Sequence, residues 1–232
     1  MDKKVAVITG ASKGVGKNIA LYLAKKGYIT LLISRSESNL NKLFTLINNE
    51  GGYAKYYPLD ISNNKDVAIT IKNIIKEFKK IDLLFNSAGV LHKGLLETSK
   101  DNIDKMIRIN LLGTIYITNK IAQHMKDNKK GYIINMSSMS GKIAYPMFGS
   151  YAASKFGVSG YNEALFKELT EYGVKVTAIC PALIATDMTE NFFDKDSLSK
   201  MINIENIVKT VDYLLSLDST AVIKEIAING TY

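Results

Sequence analysis

Apolar and polar positions along this chain alternate on two scales. Short unbroken apolar runs such as Val5-Ala6-Val7-Ile8 suit strands covered on both faces, as in a parallel sheet. They predict strands near 4–9, 28–34, 53–58, 81–86, 131–137, 174–180 and 223–228. Longer stretches between them predict helices near 15–26, 36–50, 63–79, 99–127, 150–172 and 204–217. Strand and helix alternate with no internal repeat and no low-complexity linker. That order predicts an α/β fold: a doubly wound parallel sheet of about seven strands, helices on both faces, and ligands at the strand carboxyl ends. Residues 1–232 are read as one domain. The segment 187–203 breaks the alternation, with Met188, Phe192 and Phe193 set among polar residues.

Two places in this frame carry chemistry. The first strand runs directly into Gly10-Ala11-Ser12-Lys13-Gly14-Val15-Gly16 and then a helix. Strand, glycine turn and helix together offer backbone amides and a helix N-terminus to a pyrophosphate. In this G-x-x-x-G-x-G spacing Gly10 permits the tight turn, and Gly14 lets backbone approach the phosphates. Gly16 lets the helix pack close to the strand. The second place is Tyr151-Ala152-Ala153-Ser154-Lys155, thirteen residues after Ser138. A Tyr and a Lys four apart share one helix face. A free phenol titrates near ~10, and a fixed ammonium beside it favours the phenolate. Such a pair suits proton transfer to or from an alcohol or carbonyl oxygen.

Composition narrows the classes. A hydrophobic content of 47% can fill a substantial core. No stretch approaches the ~20 apolar residues of a membrane span, so no membrane role is expected. The start, Met1-Asp2-Lys3-Lys4 followed at once by a strand, leaves no room for a cleavable signal peptide. Cys180 is the single cysteine, which rules out an internal disulfide framework, and a cytoplasmic protein is expected. The net charge of +8 invites a nucleic-acid reading, yet among 30 basic residues only Arg35 and Arg108 are arginine. Base-reading surfaces favour arginine, so no nucleic-acid partner is expected. His92 and His124 lie far apart without ligand-spaced cysteines or carboxylates, and no metal is expected.

The motifs in order resemble those of the short-chain dehydrogenase/reductase family, single-domain type, over nearly the whole chain. Thr9-Gly10 through Gly16 matches its glycine motif. Asn86-Ser87-Ala88-Gly89 matches its Asn-Asn-Ala-Gly strand end with one substitution. Asn110 in Ile109-Asn110-Leu111, Ser138 in Asn135-Met136-Ser137-Ser138, and the Tyr151–Lys155 pair match its remaining catalytic positions. Pro181-Ala182, followed by Ile184 and Thr186, stands where the family has Pro-Gly. The resemblance implies a Rossmann-type fold with a cofactor half near 1–130 and a catalytic and substrate half near 131–232. It implies the catalytic set Asn110, Ser138, Tyr151 and Lys155.

Cofactor contacts are implied from Gly10, Ser12, Lys13, Gly14, Val15 and Gly16, and from Asn86, Ala88 and Gly89. Further contacts are implied from Ile61, Tyr151, Lys155, Pro181, Ile184 and Thr186. Asp60 reads either as an adenine contact or as a cap for the helix near Asn63. After the second strand the chain reads Ile33-Ser34-Arg35-Ser36, with no carboxylate until Glu37. An NAD site usually has an acidic residue there for the ribose 2′-OH. Arg35 and Lys13 instead match the two basic positions of NADP-preferring relatives, one a planar fork and one a point charge for a 2′-phosphate. NADP(H) is the expected cofactor.

The implied reaction moves a hydride between NADP(H) and a carbonyl or alcohol carbon. Ser138 hydrogen-bonds the oxygen, Tyr151 exchanges the proton, Lys155 lowers the phenol pKa and holds the ribose, and Asn110 positions a relay water. Met139, Ile143, Phe148, Leu183, Met188 and Phe192, with Tyr145, Met147 and Phe193, predict an apolar pocket for a small carbonyl or alcohol substrate. The alternative is a 3-oxoacyl-acyl-carrier-protein reductase, with Lys129 and Lys130 docking an acidic carrier. Against it, Glu171-Tyr172 stands where a second basic docking position is expected. A third reading is a dinucleotide-binding sensor without turnover. The resemblance also implies a homodimer or homotetramer built on helices 99–127 and 150–172. The ending Asn229-Gly230-Thr231-Tyr232 lacks the Gly-Gly pair and longer tail of tetrameric relatives. Ala182 in place of glycine narrows the backbone freedom expected beside the nicotinamide.

Overall fold

The computed structural model describes residues 3–190 and 192–231. Met1, Asp2 and Tyr232, which entered the reading of the chain ends, lie outside them. Among the described residues the strands are β1 (Val5–Thr9), β2 (Ile29–Ser34), β3 (Tyr53–Pro58), β4 (Leu83–Asn86), β5 (Gly131–Met136), β6 (Val174–Pro181) and β7 (Glu225–Ile228). All pair in parallel in the order β3-β2-β1-β4-β5-β6-β7. The helices are α1 (Gly14–Lys25), α2 (Glu37–Asn49), α3 (Asn64–Phe78), α4 (Lys100–Met106), α5 (Thr114–Asp127), α6 (Gly149–Leu169), α7 (Asp187–Glu190), α8 (Lys195–Ser199) and α9 (Ile204–Ser216). No helix of the described residues is long and apolar enough to cross a membrane.

Successive side chains of a strand point to opposite faces, and β1 divides accordingly. Val5 and Val7 join a core with Ile71, Ile117 and Leu165, from α3, α5 and α6. Ala6 and Ile8 join the opposite core with Leu23, Leu43 and Val211, from α1, α2 and α9. Each fully buried aliphatic side chain contributes roughly 1.5–3 kcal/mol, so both faces favour this strand order together. The order reverses between β1 and β4, and a crevice forms beyond their carboxyl ends.

Polar groups also cross the sheet. Thr9 Oγ1 donates to Asn86 Oδ1 at 3.2 Å, and Asn86 Nδ2 donates to Thr118 Oγ1 and Asn135 Oδ1 at 2.9 Å each. Asn135 Nδ2 in turn donates to Asn162 Oδ1 at 3.0 Å. All five residues are buried, and each amide left unpaired there would cost about 1–3 kcal/mol.

Two stretches differ from the sequence pattern. The helix expected over 99–127 is α4 and α5 joined by a π-helical stretch at Ile107–Gly113, with Asn110 at its middle. The segment 187–203 folds into α7 and α8. Its base is closed by a bridge between Ile184 and Ile202, with Ile202 N donating to Leu183 O and Ala185 N to Ile202 O.

Candidate active site

The turn after β1 is built so that only glycine fits at two positions. Gly10 has φ +66°, and a Cβ there would come within 2.8 Å of Ala88 N. A Cβ on Gly16 would lie 2.4 Å from Gly10 O. Thr9 Oγ1 accepts from Ser87 N at 3.2 Å and Ala88 N at 3.3 Å, while Ser87 Oγ donates to Thr9 O at 2.9 Å. Ser87, the one substitution in the Asn-Asn-Ala-Gly motif, thus ties the turn after β4 to the turn after β1.

Beyond these turns lies a cavity of about 960 Å³. The starts of α1 and α2 border it, and neither receives a side-chain cap from Lys13 or Ser36. By contrast α3, α4, α8 and α9 are capped by Asn63, Ser99, Asp194 and Asn203. Open amides at a helix N-terminus attract anions. Lys13, Ser34, Arg35 and Asn39 line the same end, and the buried Ser34 Oγ has no hydrogen-bond partner. An orphaned hydroxyl beside an exposed guanidinium fits a phosphate-bearing ligand. Asp60 lines the cavity with Ile61, and its Oδ1 accepts from Ser62 N and Ser62 Oγ. Asn63, not Asp60, caps α3.

The opposite end holds the proton-transfer groups. Ser138 follows β5 in extended conformation, and its Oγ accepts from Ser140 N at 3.0 Å. Tyr151 and Lys155 lie in the first turns of α6 and both line the cavity. Lys155 Nζ donates to Met136 O at 2.8 Å and stands 5.8 Å from the centre of the Tyr151 ring. Burial pulls the Lys155 ammonium down to about 8. Burial pushes the Tyr151 phenol up, with the Ser138 hydrogen bond pulling the other way. Desolvation of the phenolate outweighs whatever lowering Lys155 supplies, so the net direction for Tyr151 is upward.

Asn110 stands behind these groups and does not line the cavity. Its Oδ1 accepts from Val90 N at 2.8 Å, and Nδ2 donates to Val90 O at 2.9 Å and Ser154 Oγ at 3.0 Å. Both amide hydrogens are spent on protein. Asn86 is likewise enclosed, and its side chain serves the polar chain across the sheet. The other residues expected to contact a cofactor all line the cavity. Of the expected substrate residues, Met139, Phe148, Leu183 and Met188 line it, while Ile143 and Phe192 do not. Ile143 is 54% exposed, and Phe193 rather than Phe192 borders the space. His92 and Met147 are also outside the lining. The lining also includes residues given no role from the sequence, among them Asn39, Leu59, Val90, Leu91, Ser140 and Thr189. Ala182 is not among the described non-glycine residues with positive φ, so alanine fits that backbone without strain.

A dinucleotide turn and a tyrosine–lysine pair facing one crevice define the site of an oxidoreductase. The sequence model of the family described as short chain dehydrogenase matches residues 4–197, and the chain belongs to that family. It is 32% identical over 231 residues to an uncharacterized oxidoreductase of Staphylococcus epidermidis, covering 98% of this chain and 97% of the relative. A crystal structure of a β-ketoacyl-acyl-carrier-protein reductase from Bacteroides thetaiotaomicron is 33% identical, with TM-score 0.85 over 100% of this chain and 98% of that one. The structure of ElxO with NADP bound is 30% identical, with TM-score 0.88 over 99% and 98% of the two chains.

Proposed function

We propose that this chain is an NADP(H)-dependent reductase or dehydrogenase acting on a small, largely apolar carbonyl or alcohol, with Tyr151 as general acid and base. One observation carries the reading. The cavity that holds Ser138, Tyr151 and Lys155 at one end presents Lys13, Arg35 and the unpartnered Ser34 hydroxyl at the other. Those residues fit a 2′-phosphate, and the ElxO relative binds NADP. Gly10, Gly14 and Gly16 with the open start of α1 would hold the pyrophosphate, and Asp60 and Ile61 the adenine side.

When bound, the nicotinamide supplies or accepts the hydride at the substrate carbon. Ser138 hydrogen-bonds the substrate oxygen, where negative charge develops during reduction. Tyr151 delivers the proton to that oxygen or takes it back in the reverse direction. Lys155, held by Met136 O, keeps a positive charge near the phenol and within reach of a ribose. Asn110 holds Val90 and Ser154, which fixes the walls around these groups. Met139, Phe148, Leu183, Met188 and Phe193 give an apolar wall for the rest of the substrate.

The second reading, reduction of a 3-oxoacyl group on an acyl-carrier protein, is favoured by the likeness to the Bacteroides enzyme and by the exposed Lys129 and Lys130. A dimer or tetramer pairing through α5 and α6 follows the family resemblance. One buried cysteine without a disulfide fits a reducing, cytoplasmic compartment. Purified protein tested for NADPH oxidation against ketones, aldehydes and 3-oxoacyl thioesters checks the proposal. Turnover of at least one carbonyl is expected; binding of NADPH with no turnover of any would favour the sensor reading instead.

A further inference from the structure

We propose that Ser154 is a positioning residue for the proton-transfer pair, acting through a hydrogen-bonded strut from the loop after β4 into the first turn of α6. The proposal rests on the reading of Tyr151 given above. Ser154 is fully buried and does not line the cavity, so its hydroxyl reaches neither substrate nor cofactor. That hydroxyl has one proton, which goes to Tyr151 O at 2.7 Å, and its oxygen accepts from Asn110 Nδ2 at 3.0 Å. Asn110 spends its other amide hydrogen on Val90 O, while Oδ1 receives Val90 N. Every donor direction is therefore fixed: Val90 to Asn110, Asn110 to Ser154, Ser154 to the Tyr151 carbonyl.

The two ends of this strut both border the cavity, Val90 beside Gly89 on one side and Tyr151 on the other. Gly89 lies against the middle of the strut, where a Cβ would lie 3.3 Å from Asn110 Oδ1 and 4.0 Å from Lys155 Nζ. The strut is braced from behind. Thr114 Oγ1 donates to Asn110 O at 2.8 Å, satisfying a carbonyl inside the π-helical stretch. Removing the Ser154 hydroxyl leaves an Asn110 amide hydrogen without an acceptor in a dry site. Relief comes through movement of Asn110 or of the turn that carries Tyr151. Proton and hydride transfer are sensitive to such shifts, with a misplacement of ~1 Å able to lower the rate ~100-fold.

The test compares Ser154→Ala and Ser154→Cys with wild type for kcat, KM, NADPH affinity and the pH profile of carbonyl reduction. The thiol keeps a group at the same position, slightly larger than the hydroxyl, but is a weak hydrogen-bonding group. In both variants kcat is expected to fall about tenfold, with KM and NADPH affinity within about twofold. The alkaline limb of kcat is expected to move to higher pH, because a phenol displaced from Lys155 loses its proton less readily. Wild-type kcat and pH profile in Ser154→Cys would overturn the proposal. So would a Ser154→Ala protein that loses thermal stability and NADPH binding while its cofactor-saturated kcat stays unchanged. A Tyr151→Phe protein as active as wild type would remove the reading of the site itself, and the strut's role with it.

Discussion

Lys155 Nζ gives its 2.8 Å hydrogen bond to the Met136 carbonyl and keeps 5.8 Å from the centre of the Tyr151 ring. The ammonium is anchored to the end of β5, not to the phenol. Burial disfavours the charged form of both groups, so the resting protein holds a protonated tyrosine near a lysine whose charge is only moderately secure. A neutral phenol is the form a carbonyl reductase needs before transfer. Its deprotonation in the reverse direction calls for added positive charge, which an oxidised nicotinamide carries.

Replacing Tyr151 with Phe removes the transferable proton and keeps the ring packing. Turnover is expected to fall ~100–10,000-fold while NADPH affinity stays near wild type. Steady-state kinetics with a fluorescence titration of NADPH checks both halves. A variant within a few-fold of wild-type kcat would remove Tyr151 from its role.

Much of this site was legible because chemistry and fold leave the same marks. The turn at Gly10 and Gly16 is readable since no side chain fits there, and the Tyr151–Lys155 spacing since a helix face demands it. Asn86 was not readable: an amide at a strand end looks the same whether it faces a ligand or Thr118 and Asn135. The π-helical stretch around Asn110 leaves no signature in apolar periodicity, because one widened turn changes the phase by little. That Ile143 and Phe192 lie outside the cavity lining is unreadable from sequence for a related reason. In a segment without a repeating period, adjacent apolar residues give no sign of which one faces inward, and it is Phe193 that does.

Exchanging Arg35 for Asp is expected to reverse cofactor preference. Wild type should bind NADPH well above NADH, since Arg35 and Lys13 line the cavity and the position after β2 that is acidic in NAD sites is Arg35 here. The variant supplies an acceptor for a ribose 2′-OH and repels a 2′-phosphate. Charge-assisted contacts are worth about 1.5–3 kcal/mol, so a change of about tenfold or more in NADPH affinity is expected. Equal wild-type affinities for the two cofactors would count against the role of Arg35.

Lys155 sets a pH dependence of stability. Its folded pKa is about 8 against an ordinary 10.5, so between those values the unfolded chain binds more protons than the folded protein. Stability from this group therefore rises with pH across that window, and the penalty for burying the ammonium is fully present below it. Urea unfolding of wild type and Lys155→Met, without cofactor, at about pH 7.5 and about pH 10 reads the effect. Wild type should gain stability relative to the variant at the higher pH. A constant difference would contradict the lowered pKa.

The apolar wall predicts a trend in substrates. Across a ketone series kcat/KM should rise with alkyl or aryl size, by about a few-fold for each methylene that is buried. Open-chain sugars should remain poor, because their hydroxyls would lose water without finding partners among Met139, Phe148, Leu183 and Phe193. Polyols or sugars emerging as the best substrates in the same panel would refute this account of the pocket.

The buried chain from Thr9 through Asn86 and Asn135 to Asn162 bears on how this protein can be recombined with its relatives. Each member completes the hydrogen bonding of a neighbour on another strand or helix. A chimera that takes β1 and β4 from one parent and β5 and α6 from another inherits a row of amides only where both parents carry matching partners. Where they do not, the mismatch falls in the interior of the sheet, out of reach of water. Crossover points for domesticating or shuffling this scaffold are therefore governed by four interior polar positions more than by the loops where the parents are easiest to join.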